Sequence, residues 1–268
     1  MSGFRDNDFW NNAMNLTEGT LLARVTDGGK AMFGKITGDS IELLDDSLKL
    51  TGKNAGVSGA AFKAPIDPTK VWCIGLNYHE HAKESNLEVP DEPCVFMKPT
   101  TCIIAPGEAI GVPSWTGRVD YEGELAVVIG KTCKNVAPEH ALDYVLGYSC
   151  FNDVSARVLQ KKDGQWIRAK AFDTFGPFGP AILIQRKIPD SAVLTTKLNG
   201  KIVQQGPFSD MIFSVAAIVS HLSRFATLEA GDIIATGTPA GVGPIQPGDA
   251  VEITIDGIGT LKNPVAVA

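Results

Sequence analysis

Apolar positions along this chain fall in short blocks, divided by glycine, proline and aspartate, and few of the blocks repeat at helical spacing. Blocks of that kind, bounded by turn residues, predict strands. Residues 20–25, 31–36 and 40–44 are three β-prone segments separated by D-G-G-K and T-G-D, turns that suit hairpins, and together they predict a small β module. The stretch A-P-I-D-P-T-K (64–70) then brings two prolines close together. Each disfavours helix before it, so this stretch reads as a linker. The expected division is a small N-terminal β domain over 1–64, a linker over 65–70 and a larger domain over 71–268.

Within the larger part, V-W-C-I-G-L (71–76), P-C-V-F-M-K-P (93–99), E-L-A-V-V-I-G (124–130), A-I-L-I (181–184), T-T-K-L-N-G-K-I-V (195–203), D-I-I-A-T-G-T (232–238) and A-V-E-I-T-I (250–255) read as strands. Helices are expected over 79–86, 138–144, 155–160 and 214–225. The last places Val215, Ile218, Val219 and Leu222 on one face. Many strands with scattered helices predict a β-rich α+β fold whose sheets curl around a site, not a regular βαβ array.

Composition narrows the function classes. The 268 residues are 44% hydrophobic and 20% charged, and no apolar run reaches the about eighteen residues that span a bilayer. Lys and Arg number 24 against 30 Asp and Glu, a net charge of -6, without a basic cluster, so neither nucleic acid nor a membrane is an expected partner. The five cysteines include no C-x-x-C pair, which argues against a structural zinc site and a disulfide framework and fits a reducing compartment. The opening M-S-G-F-R-D-N-D-F-W has neither an apolar leader core nor an Arg-rich, acid-poor character, so a cytoplasmic protein is expected.

Three constellations could carry chemistry. In D-Y-E-G-E-L (120–125), Glu122 and Glu124 stand two apart, so on an extended strand they emerge on one face with Cα atoms roughly 7 Å apart. Taken alone, two surface glutamates on a solvated edge is the commoner reading. Asp153, in G-Y-S-C-F-N-D-V-S-A-R, follows an apolar stretch; it could cap the next helix, or be a buried acid in need of a partner. Three carboxylates suit a hard dication such as Mg²⁺ or Mn²⁺. In G-L-N-Y-H-E-H-A-K-E (75–84), His81 and Glu84 stand three apart on one helical face, where a carboxylate can hold one tautomer of a general base. An exposed polar helix would look the same. In A-T-G-T-P-A-G-V-G (235–243), a glycine-rich turn could aim backbone N–H groups and the Thr238 hydroxyl at an anion, although no phosphate-loop lysine follows. Lys170, in I-R-A-K-A-F-D-T-F-G-P, has aromatic and glycine-proline neighbours that could hold it inside a pocket.

Taken in order, G-L-N-Y-H-E-H-A-K-E, F-M-K-P-T-T, D-Y-E-G-E-L-A-V-V-I-G, N-D-V-S-A-R, K-A-F-D-T-F-G-P-F-G-P, L-N-G-K-I-V-Q and T-G-T-P-A-G-V-G resemble the fumarylacetoacetate hydrolase family from about residue 70 onward. The resemblance implies a mixed β-sandwich roll, often a homodimer, with a small β domain in front. It implies a divalent cation, Mg²⁺ or Mn²⁺, on Glu122, Glu124 and Asp153, and a water-activating pair of His81 and Glu84. It also implies that Arg157, Gln160, Lys170 and Thr238 face the keto-acid end of a small 2-oxo acid. One departure is Val158, where relatives commonly carry an aspartate after S-A-R. The expected activity is hydrolysis of a carbon–carbon bond in an acylpyruvate-like 1,3-dicarbonyl through an enolate. Oxaloacetate tautomerase or decarboxylase activity, a muconate-type isomerase, and a non-catalytic binder on the same scaffold are the alternatives, since fold alone does not choose between them.

Overall fold

A computed structural model of the chain describes residues 7–84, 86 and 88–268. The leader reading therefore rests largely on residues outside the described ones, as does Ser85 in the helix expected over 79–86. A short helix, α1 (Asn7–Met14), leads into an antiparallel meander of β1 (Leu21–Asp27), β2 (Lys30–Thr37), β3 (Ser40–Leu44) and β4 (Leu50–Gly56). The D-G-G-K turn closes β1 on β2 with Asp27 opposite Lys30. A two-residue strand, β5 (Ala61–Phe62), pairs with β1.

Past residues 64–70 come β6 (Val71–Gly75), α2 (His79–Glu84), β7 (Cys94–Lys98), β8 (Ile103–Ile104), β9 (Ile110–Val112), β10 (Val119–Tyr121) and β11 (Gly123–Ile129). They are followed by β12 (Val145–Asn152), β13 (Ser155–Ala156), α3 (Arg157–Asp163), α4 (Ile167–Lys170) and β14 (Gly176–Ile184). The chain ends through β15 (Val193–Leu198), β16 (Lys201–Pro207), α5 (Val215–Phe225), β17 (Ile233–Ala235), β18 (Gly243–Ile245), β19 (Ala250–Ile255) and β20 (Gly259–Val267).

The large sheet runs β4-β3-β2-β1-β14-β12-β11-β17-β6-β7, a second sheet runs β16-β15-β19-β20-β9, and a small one joins β13, β10 and β18. Most pairs are antiparallel, whereas β17 with β6, β14 with β8 and β20 with β9 are parallel, so the fold is the mixed, β-rich α+β roll expected. The segments on either side of 64–70 share one sheet, because Leu21, Leu22 and Ala23 of β1 stand opposite Leu183, Ile182 and Ala181 of β14. The end of this stretch is fastened at Asp232, which accepts a hydrogen bond from the Thr69 hydroxyl and lies 3.1 Å from the Lys70 Nζ.

Every residue of β11 is buried, which an alternating amphipathic strand would not allow. Its odd positions Leu125, Val127 and Ile129 pack in the core shared with Leu194, Ile253 and Ile255 of the second sheet. Ala126 and Val128 pack in the opposite core with Phe9 and Trp10 of α1, Phe151 and Phe178. A strand covered on both faces reads as a continuous apolar run, as L-A-V-V-I (125–129) does. Phe151 and Phe178 are fully buried with ring centroids 6.5 Å apart. Phe151→Ala is expected to cost about 3–5 kcal/mol, read as a lower urea midpoint with an unchanged slope.

Some elements differ from expectation. Residues 195–203 form a hairpin and not one strand: Asn199 (φ 52°) and Gly200 (φ 80°) make the turn between β15 and β16. Both central residues have positive φ, the geometry that Asn-Gly favours in two-residue hairpins. Residues 138–144 wind as a 3-10 helix, and the helix expected over 155–160 starts at Arg157 because Ser155 and Ala156 pair with β10. Helix α5 forms as expected, with Ser214 Oγ accepting the Ala217 N–H at its start and Val215, Ile218, Val219 and Leu222 buried.

Candidate metal and substrate site

Two neighbouring strands change sheets together, and the acidic residues lie where they do. β11 pairs with β12 in the large sheet, with Gly123 opposite Asn152; β10 pairs with β13 in the small sheet, with Asp120 opposite Ser155. Glu122 and Asp153 occupy the crossing. Asp153 N–H donates to Glu122 O at 2.9 Å, and Glu122 N–H donates to the Asn152 side-chain oxygen at 3.0 Å, so the backbone at the crossing is satisfied. Their side chains are free to converge with that of Glu124: one carboxylate oxygen from each lies within 4.8 Å of the others, and all three residues are buried. Asp153 does not cap the following helix, whose N-cap is Ala156.

Buried carboxylates need partners, and the partners here are unequal. Lys170 Nζ, 2% exposed on α4, lies 2.8 Å from Glu122 Oε2 and 2.5 Å from Asp153 Oδ2. Lys98 Nζ at the end of β7 lies 2.6 Å from Asp153 Oδ1 and donates to Val154 O. Arg157 places Nη2 2.6 Å from Glu122 Oε1, donates from Nε to Asp120 at 2.9 Å, and from Nη1 to Gln160 Oε1. Asp120 also receives two hydrogen bonds from Arg118. Glu124 receives the Gly237 N–H at 2.9 Å, and among the described residues no side-chain cation pairs with it.

That inequality sets the titration. Burial pushes Glu122 up, but Arg157 and Lys170 outweigh it and hold its carboxyl well below the usual range. For Glu124, burial and the charges of Asp153 and Glu122 act together and push it well above the usual value. Burial works against the Lys170 ammonium, yet Asp153 and Glu122 more than restore it, raising its pKa. The donor set is all oxygen, hard and compact, with one carboxylate short of positive charge. It fits a Mg²⁺- or Mn²⁺-class dication and lacks the Cys or His ligands that zinc prefers.

The turn after β17 covers this cluster. Thr238 Oγ1 donates to Gly123 O at 2.8 Å and accepts from Gln204 Nε2 at 2.8 Å, so its hydroxyl hydrogen is engaged with backbone. Gly241 N–H donates to both oxygens of Glu84, at 3.0 and 3.1 Å, and Glu84 Oε2 lies 3.3 Å from His81 Nδ1. Helix α2 is thereby docked on the turn, with His81 and Glu84 lining the same cavity as the three acids. That cavity, about 690 Å³, also takes in Arg157, Gln160, Lys170 and Thr238, so all nine residues singled out in the sequence border one space. Val158 points elsewhere: it is 53% exposed and packs beside Gly117. Sequence reasoning passed over Lys98, Asp120, Phe96, Trp166 and Gln204. For Lys98 the signal was a lysine inside the apolar block C-V-F-M-K-P, a residue type that is buried almost only when paired.

Residues 70–266 match the family model described as fumarylacetoacetate (FAA) hydrolase C-terminal. The oxaloacetate tautomerase YisK of Bacillus subtilis is 43% identical over 223 residues, covering 78% of this chain and 74% of that protein. A crystal structure of 2-hydroxyhepta-2,4-diene-1,7-dioate isomerase from Mycobacterium marinum superposes with a TM-score of 0.84 at 41% identity, covering 92% of this chain and 98% of that one. A maleylpyruvate hydrolase from Sphingobium sp. SYK-6, solved with manganese (II) ion and pyruvate, superposes at 0.78 with 29% identity, covering 92% and 99%. With a family match over most of its length and relatives this similar across the same span, the chain belongs to the fumarylacetoacetate hydrolase family.

Proposed function

We propose that the protein is a Mg²⁺- or Mn²⁺-dependent enzyme of small 2-oxo acids, and that it hydrolyses a carbon–carbon bond in acylpyruvate-like 1,3-dicarbonyls. The observation that supports this reading is the meeting of Glu122, Glu124 and Asp153 with the His81–Glu84 pair in one cavity. The three acids would hold the cation, which when bound supplies a Lewis acid for charge developing on a chelating 2-oxo acid. Glu84 orients His81 through Nδ1, which leaves Nε2 to take a proton from water. The water oxygen adds to the distal carbonyl, and the bond from that carbon to the pyruvoyl methylene breaks. Its electron pair stays on the methylene carbon, which takes a proton to give pyruvate beside the released carboxylic acid. Lys170 and Arg157 add positive potential over the same space.

A second reading, oxaloacetate tautomerase, is supported by the 43% identity to the Bacillus subtilis tautomerase against 29% to the Sphingobium hydrolase. It asks only for proton transfer between carbon and oxygen of the bound oxo acid. Incubating the purified protein with Mn²⁺ and, separately, acetylpyruvate, enol oxaloacetate and keto oxaloacetate separates the readings. Equal amounts of acetate and pyruvate from acetylpyruvate are expected. Enol–keto interconversion without cleavage would favour the tautomerase, release of CO₂ a decarboxylase, and inactivity on all three a binding protein.

A further inference from the structure

The lining of the cavity is ionic in one part and aromatic in another. Phe96, on β7, has its ring centroid 5.1 Å from Lys170 Nζ, and Trp166 stands edge to face with Phe96 at 5.2 Å. An aromatic path therefore begins at the ammonium that bridges Glu122 and Asp153 and leads to the indole. Gly75, the last residue of β6, makes the room: a Cβ there would come within 2.5 Å of Trp166 Cζ3 and 2.8 Å of Cη2. Trp166 is also fixed at its backbone, where its carbonyl accepts the N–H groups of Ala169 and Lys170 at 3.0 and 3.1 Å, starting α4. A change of its side chain leaves that anchor in place.

In the functional reading above, on which this inference rests, the three acids and Lys170 engage the oxo-acid end shared by all candidate substrates. Substrates can then be sorted only by what lies beyond that end. Arg118 and Lys161 also border the cavity, whereas Leu76, Phe96 and Trp166 offer it apolar surface that suits a hydrocarbon group, and a rigid indole bounds the space available to that group. We infer that Trp166 is a specificity-determining residue, which with Phe96 seats a short apolar group on the substrate and sets the greatest length that fits.

The test uses binding, not turnover. Calorimetry of the Mn²⁺-loaded protein with pyruvate, 2-oxobutanoate, 2-oxohexanoate and 2-oxooctanoate is expected to show affinity falling at the longest chain. In Trp166→Ala, pyruvate affinity should stay within about twofold, which also reports an intact fold, while affinity for 2-oxooctanoate relative to pyruvate rises roughly tenfold, the value of about two further buried methylenes. Trp166→Phe should lie between. An unaltered chain-length profile with pyruvate still bound would overturn the inference alone. Failure of the Mn²⁺-loaded wild type to bind pyruvate would overturn the functional reading and the inference with it.

Discussion

Glu124→Gln is expected to lose Mn²⁺ binding and turnover together, with affinity at least about 100-fold weaker by calorimetry. The substitution keeps shape and leaves an oxygen to accept the Gly237 N–H, so the turn that covers the site stays anchored. What it removes is the one acid in the cluster that, among the described residues, has no side-chain cation as a partner: its surroundings hold it well above the usual value, and a bound dication would draw it into the ionised form. Glu122 and Asp153 already share Lys170, and each has a further cation, Arg157 or Lys98. Divalent ions of this class are held by carboxylate charge, and a neutral amide in that position supplies a poorer ligand and no charge. Mn²⁺ affinity in Glu124→Gln equal to that of the wild type would remove these three acids as the metal site.

His81→Ala should retain the metal and lower hydrolysis of acetylpyruvate by about 10²–10⁴-fold, the usual contribution of a positioned general base. The ring is 3.3 Å from Glu84 and makes no bond to Glu122, Glu124 or Asp153, so its loss leaves the cation's ligands untouched. The effect should fall on kcat more than on KM, since the imidazole acts on water and not on the chelating end of the substrate. Any decarboxylation of oxaloacetate, which needs no attacking water, should fall much less. Normal acetylpyruvate hydrolysis by His81→Ala would disprove the assignment of the base.

Much of the fold could be read from local pattern, because strands buried on both faces write themselves as unbroken apolar runs, β11 most clearly. At 195–203, β-prone residues flank Asn199-Gly200 on both sides, so the run resembles one strand although that pair is itself a strong hairpin signal. Helix α1 was missed because it is only eight residues long, with one turn of apolar pattern in Phe9, Trp10 and Ala13. For the site, no local pattern links Glu122 to Asp153 or Lys170; the connection came from the order of several motifs. Lys98 shows the limit of that approach. The apolar block around it signals a buried, paired lysine, but its partner Asp153 lies 55 residues away and nothing next to Lys98 in the chain names that acid. Trp166 is comparable, since its place depends on a side chain that Gly75 lacks.

The pairing of β1 with β14 has a consequence for shortened forms of the protein. Without the meander, amide and carbonyl groups along Ala181, Ile182 and Leu183 would lose their neighbours on a flank whose side chains are apolar. Such a flank recruits any extended peptide that meets it, including another copy of itself. The meander over 21–56 thus acts as a seal, and a version starting near residue 65 would need some other cover there to stay dispersed in solution.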